Sequence, residues 1–188
     1  GLCCDVSDAE AVQRAVTLVI ERYGGIDVLV NNAGITHRSP VASTSLAVFQ
    51  RVMAVNFYGA LHCTQAALPS LIARDGQIIV LSSLSQYAPV PNRAAYNASK
   101  HALHGLFETL RGELSDTGVH VMLVCPGYTA TDLRKNVLVG DGSTAPSPVL
   151  DFGTAAQPWT YSADGRAAAV SGFVTATTFE ADGQTRRI

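Results

Sequence analysis

Three short aliphatic runs, spaced out by longer stretches with helical periodicity, limit this chain to a small set of folds. Residues 26–30, Gln77–Leu81 and residues 119–125 are almost wholly apolar. A strand with one wet face alternates apolar and polar residues, whereas a strand covered on both faces of a parallel sheet does not. Between the runs, apolar residues recur every three to four positions over 45–73 and 96–117. Ala11, Val12, Ala15, Val16, Val19 and Ile20 form a similar stripe ahead of the first run. Strands alternating with helices predict an α/β fold, a parallel sheet with helices on both faces. Ligands of such sheets bind beyond the carboxyl ends of the strands. Asp5, Asn31 to Gly34, Ser82-Ser83 and Pro126-Gly127 each follow a predicted strand, if residues 2–4 are read as the stub of one.

Local signals place the helix ends. Ser7 with Glu10 three residues on has the capping-box pattern, and Gly24-Gly25 stops the first helix. A polar loop runs to residue 45 and a long helix to about residue 73, with Asn56 on its inward stripe beside Phe49, Val52, Met53 and Ala60. Pro89 and Pro91 mark a loop, Gly118 closes the helix over 96–117, and Pro126 ends the last run.

At 188 residues the chain fits one domain, and 47% hydrophobic residues supply a core. A net charge of −2 argues against a broad electrostatic grip on nucleic acid. No run approaches the ~18 apolar residues of a membrane span, so no membrane segment is expected. The given residues open on no basic-then-apolar secretory start, and a targeting segment lost with the N-terminus stays open. Cys3, Cys4, Cys63 and Cys125 lack metal-like spacing, and three of them sit in apolar strand or helix contexts, so small buried thiols in a reducing, cytoplasmic setting are expected. His101 and His104 share a helix but have no third ligand, so no metal site is expected.

The chemistry concentrates in Tyr96-Asn97-Ala98-Ser99-Lys100. Residues i and i+4 share a helix face, so the Tyr96 phenol and the Lys100 ammonium can aim at one point. A phenol titrates near ~10, and a cation beside it favours the phenolate, bringing it toward the range of useful acid–base work. Ser83, thirteen positions before Tyr96, can hold a carbonyl oxygen for the proton to reach, although Ser82 and Ser85 offer the same hydroxyl. Given a hydride carrier, this equipment interconverts an alcohol and a ketone. Asn56 has two readings, a structural amide bonding a neighbouring helix or a functional one.

Asn31-Asn32-Ala33-Gly34, Asn56, Ser83 with Tyr96 and Lys100, and Pro126-Gly127, in this order, resemble the short-chain dehydrogenase/reductase family in its single-domain branch. The resemblance covers about residues 2–135, and the run over 96–114 is similar to carbonyl and steroid reductases. It implies a Rossmann-like, doubly wound parallel sheet, NAD or NADP as cofactor, and a small-molecule alcohol or carbonyl substrate. It implies catalytic roles for Asn56, Ser83, Tyr96 and Lys100, selecting Ser83 by its spacing. The Asn56 backbone carbonyl would hold a water linked to Lys100, which would also bond the nicotinamide ribose. Asp5 would accept from the adenine amino group. Asn32, Ala33 and Gly34 would line the adenosine side, and Pro126, Gly127 and Thr131 would meet the carboxamide. Thr129 stands where the family usually has an aliphatic residue.

The chain also departs from that pattern. It lacks the strand, glycine-rich turn and helix that hold a pyrophosphate. It is therefore expected to be an N-terminally truncated fragment without the first two strand–helix units, which also carry the residue separating NAD from NADP. The expected organisation is a partial dinucleotide-binding catalytic domain over 1–138, then a lid region and divergent tail over 139–188. Ser171-Gly172 and Asp182-Gly183 echo the family's last strand only faintly. The tail from about Thr154 fits a divergent lid or an altered reading frame equally. A homo-oligomer of the full-length protein is expected through helices 45–73 and 96–117. The alternative to an enzyme is a non-catalytic fragment or dimerisation module unable to hold cofactor. Leu84, Tyr87, Val90 and Pro91 suggest an apolar wall suited to a lipophilic ketone or alcohol.

Overall fold

The computed structural model describes residues 1–127, 133 and 136–145, and beyond them four short strands at 159–161, 167–169, 177–179 and 185–187. Helix α1 (Ala9–Tyr23) opens on Asp8, whose carboxylate accepts from the amides of Glu10 and Ala11 at 2.9 and 3.0 Å. The expected Ser7 cap is thus displaced by one residue. Ser7 spends its N–H and hydroxyl on Asp5 Oδ1 (2.9 and 2.8 Å), and a carboxylate suits the positive end of a helix better. Gly24 closes α1 at φ 80°, donating its N–H to Ile20 O.

Strands β1 (Val28–Asn31), β2 (Gln77–Leu81) and β3 (His120–Val124) lie side by side and parallel, as the aliphatic runs predict. Residues 2–4 form no strand: among the described residues nothing pairs with them, and an unpaired strand leaves its backbone groups without partners. The register Leu29↔Ile78↔Val121 and Asn31↔Val80↔Leu123 sends one row of side chains toward the helices.

The predicted 45–73 helix is two helices joined without a break in winding. α2 (Leu46–Met53) passes through a five-residue π turn, Ala54–Tyr58, into α3 (Gly59–Ala73). α4 (Ala94–Glu113) starts two residues before Tyr96. Parallel neighbours advancing in one direction with right-handed crossovers put their connecting helices on one face, and α1 packs against α3 there. The main core fills that interface, with Ile78, Val80, Val121 and Leu123 against Ala67, Leu71, Leu103 and Phe107. The described helices cover this one face, and Val28 and Val30, pointing the other way, are each 51% exposed.

Two short strands, β4 (Val137–Leu138) and β5 (Thr144–Ala145), form a hairpin that straddles residue 138. It is clamped to the loop after β1, with Leu138 N–H donating to Thr36 O (3.0 Å) and Arg38 N–H to Leu138 O (2.8 Å). A second core of Val48, Val52, Ala95 and Leu138, with Ile35 and Phe49, joins this hairpin to α2 and the start of α4. Farther on, β6 (Trp159–Tyr161) pairs with β7 (Ala167–Ala169), while β8 (Thr177–Phe179) and β9 (Thr185–Arg187) extend the main sheet antiparallel from β3. The dipeptides Ser171-Gly172 and Asp182-Gly183 lie outside the described residues. No helix among the described residues is long and apolar enough to cross a membrane.

Candidate active site

The carboxyl ends of β1, β2 and β3 bring Asn31 to Gly34, Ser82-Ser83 and Pro126-Gly127 to one edge of the sheet. Two backbone bonds extend the β2–β3 ladder past the strands, Ser82 N–H to Val124 O (2.8 Å) and Leu84 N–H to Pro126 O (3.1 Å). Helix α4 crosses above, and its helical spacing turns Tyr96, Lys100 and His104 onto one face.

Tyr96 is 8% exposed and Lys100 5%. The Lys100 ammonium donates to the backbone carbonyl of Leu81 at 2.6 Å and sits 5.7 Å from the centre of the Tyr96 ring. Burial pulls its pKa down to about 8. The Tyr96 phenol differs from the sequence expectation. Burial raises its pKa, outweighing the hydrogen bond from Ser83 and the charge of Arg93, both of which act downward. The cation beside it is engaged with Leu81, and desolvation of the phenolate is the larger effect. Ser83 also caps the turn after β2, its Oγ accepting from the Ser85 amide (3.2 Å) and hydroxyl (3.0 Å).

Asn56 lies in the π turn and is fully buried. Its Oδ1 accepts from Ile35 N–H (2.8 Å), while Nδ2 donates to Ile35 O (3.0 Å) and Ser99 Oγ (2.9 Å). The side chain therefore does what the structural reading requires, tying the Asn31-to-Gly34 loop to α4. π turns of this kind occur often at functional sites, because the extra residue redirects backbone carbonyls. Gly34 runs beneath, where a Cβ would make ordinary contacts, 3.4 Å from Asn56 Oδ1 and 3.9 Å from Lys100 Nζ.

Asn32 and Ala33, with Val6, Asn31, Gly59 and Cys63, line a shallow recess beside β1. The Asn31 side chain is buried and donates to Thr64 Oγ1 at 3.0 Å, a structural use. Asp5 is exposed, its pKa lowered by the Ser7 bonds. Gly127 approaches Leu84, whose Cδ1 would lie 3.4 Å from a Cβ. Thr131 and Thr129 lie outside the described residues. Of the four cysteines, three of them expected in apolar strand or helix contexts, only Cys125 is buried; Cys3 is exposed and Cys4 and Cys63 are partly so.

His104 escaped the sequence reading, which weighed it only with His101 as a metal ligand. His101 Nδ1 bonds Asn97 O (2.8 Å), while His104 Nε2 lies 3.0 Å from Ser82 Oγ and 3.6 Å from Cys125 Sγ. The available signal was its place four residues after Lys100, on the same face.

Residues 1–140 match the family model described as short chain dehydrogenase. A dehydrogenase/reductase SDR family member 7B of Xenopus tropicalis is 41% identical over 152 residues, which are 80% of this chain and 48% of that protein. A short chain dehydrogenase/reductase from Burkholderia phymatum in complex with NAD superposes with a TM-score of 0.69 at 29% identity, covering 72% of this chain and 50% of the other. A gluconate 5-dehydrogenase from Burkholderia cenocepacia in complex with NADP and tartrate gives 0.67 at 32% identity, with 70% and 52% covered. The chain spans about half the length of the curated relatives it matches. These likenesses show the Rossmann-like fold, and the family's solved members bind NAD or NADP. Motif order, strand-end geometry and the match over residues 1–140 converge on one assignment: the chain belongs to the short-chain dehydrogenase family.

Proposed function

We propose that the protein is an NAD(P)-dependent oxidoreductase interconverting a small-molecule alcohol and its carbonyl compound, with the proton handled at the Tyr96 hydroxyl. The observation that carries this reading is a single helix face, on which a buried phenol stands one turn from a buried ammonium, with the Ser83 hydroxyl drawing the phenol pKa down. Ser83 would hold and polarise the substrate oxygen, and Tyr96 would donate its proton to that oxygen in reduction or take it in oxidation. Lys100 carries three N–H donors, and the Leu81 carbonyl occupies one direction of them. A ribose diol is the kind of acceptor such a buried ammonium suits.

The small residues fit a flat nucleotide as well. Gly34 brings backbone close to Lys100, and Ala33 and Gly127 add no bulk beyond a methyl. Asn32, Ala33, Gly34 and Asp5 would face the adenosine side, and Pro126, Gly127 and Thr131 the carboxamide. The nicotinamide nucleotide, when bound, supplies the hydride. Asn56 would serve through its backbone carbonyl, while its side chain sets the loop and helix around it. Leu46, Tyr58 and Ile72 are exposed apolar residues on α2–α3 and its π turn, which supports a homo-oligomer of the full-length protein. The free thiols support a reducing, cytoplasmic setting.

The test is Tyr96→Phe in the full-length protein, following reduced nicotinamide by absorbance against a panel of ketones and secondary alcohols. Turnover should fall by about 10²–10⁴, the usual contribution of a positioned acid–base group, with cofactor affinity within a few-fold. A Phe variant retaining more than about a tenth of the rate would remove Tyr96 from the proton transfer.

A further inference from the structure

Helix α4 meets the end of β2 through three side chains on one face, each taking a different residue of one tripeptide. Lys100 Nζ donates to the carbonyl of Leu81, His104 Nε2 bonds the hydroxyl of Ser82, and the Ser83 hydroxyl acts on the Tyr96 phenol, drawing its pKa down. His104 also reaches Cys125 Sγ at 3.6 Å, at the end of the neighbouring strand β3. Its ring stands edge-on to Tyr87, with centroids 5.8 Å apart, in the loop that follows Ser83.

We infer that His104 is a positioning residue, fixing helix α4 against the ends of β2 and β3 and so setting the contact between Tyr96 and Ser83. The inference rests on the proton transfer proposed above. Asn56 through Ser99, and Arg111 Nε donating to Val121 O at 3.1 Å, also hold α4, but to the loop after β1 and to the body of β3. At the end of β2, where Ser83 lies, the side-chain anchors are Lys100 and, one turn and about 6 Å farther on the axis, His104. Burial holds the imidazole pKa at about 4, so the ring is neutral at pH 7. A neutral ring offers Ser82 one donor or one acceptor, and the hydroxyl rotates to match. Ser82 is in turn held by its own N–H to Val124 O. The chain of contacts thus runs from β3 through Ser82 to the helix that carries the phenol. Small misplacements of reacting groups are costly, since a shift of about 1 Å can reduce rate on the order of 10²-fold.

The experiment compares His104→Leu, His104→Gln, Ser82→Ala and His104→Leu/Ser82→Ala in the full-length protein, with Tyr96→Phe alongside. Leu keeps the bulk and removes both nitrogens, and Gln restores a polar group at similar reach. His104→Leu should lower kcat about ten-fold while KM and cofactor Kd stay within two-fold. His104→Gln should recover at least half of that loss. The double variant should be no worse than His104→Leu, because both changes break one bond. Apart from activity, Ser82→Ala should shift the His104 ring nitrogen resonances in NMR of the same protein. Wild-type kcat in His104→Leu, multiplicative losses in the double variant, or unmoved ring resonances would each overturn the role. Full turnover by Tyr96→Phe would overturn the proposed function and this role together, whereas its loss with an unaffected His104→Leu overturns the role alone.

Discussion

The Asn56 amide donates to Ser99 Oγ at 2.9 Å, and Ser99 passes the contact on by donating to the Tyr96 carbonyl at 2.8 Å. The π turn and the helix bearing the phenol are thus joined through buried polar groups, with Ile35 held by the same amide. Asn56→Ala leaves the Ile35 backbone pair and Ser99 short of partners. Each stranded buried group costs about 1–3 kcal/mol. The expected loss is about 2–4 kcal/mol in urea unfolding, and Asn56→Asp should do no better, because it keeps one acceptor and forfeits both donors. A loss below about 1 kcal/mol would show that the amide is not holding the loop.

Lys100→Met is expected to make the protein more stable and less active. The folded pKa of about 8 lies below the ordinary lysine value of 10.5, so the unfolded chain binds the proton more tightly. The burial penalty is therefore present in full below pH 8 and disappears as pH rises to about 10.5. Losing the bond to Leu81 offsets part of the gain, leaving on the order of 1–3 kcal/mol at pH 7. Urea midpoints at pH 7 and pH 10 check this, and the advantage of Met should narrow at the higher pH. Turnover of the full-length variant should fall, because the ammonium proposed to orient the ribose is gone.

Acid should loosen the fold before its carboxylates are protonated. Burial lowers the pKa of His37, and that of His104 to about 4, from an ordinary 6.5. Below pH ~6.5 the unfolded chain takes up protons that these rings refuse, and stability falls with pH until each ring is protonated in the fold as well. The slope approaches ~1.4 kcal/mol per pH unit for His104, and His37 adds in the same direction. Unfolding midpoints between pH 7 and 4.5 should decline, and His37→Phe should flatten part of the decline. A flat profile over that range would contradict the buried neutral state of both rings.

Gly140→Ala should release the β4–β5 hairpin. A Cβ at Gly140 runs into the Ser43 carbonyl, and the Gly140 carbonyl accepts from Ser45 N–H at 2.8 Å, so neither backbone can withdraw without losing the clamp. A strain and packing cost of about 1–3 kcal/mol is expected. Amide exchange should accelerate across residues 137–145 while Ile78 and Val80, in the main core, keep their protection.

The parallel sheet was legible because burial leaves a direct mark on composition. A strand covered by helices carries few polar side chains, so Gln77–Leu81 appears in the sequence with the bounds it has in the structure. Tyr96 and Lys100 were legible for a similar reason, since helical spacing alone puts them on one face. Caps and partners were not, because they depend on which of several adjacent groups reaches a donor first. Asp8 displaced Ser7 on that ground, and residues 2–4 form no strand because pairing needs a neighbour that spacing does not reveal. The Tyr96 phenol shows the same limit in its energetics. Proximity to Lys100 can be read from the sequence, but the depth of burial that raises its pKa, and the carbonyl of Leu81 that engages the ammonium, come from distant segments. Periodicity records what a residue must be buried against only in kind. Which atoms meet across the packed helix and strand ends, as at Asn56 with Ser99 and His104 with Ser82, is set by tertiary packing.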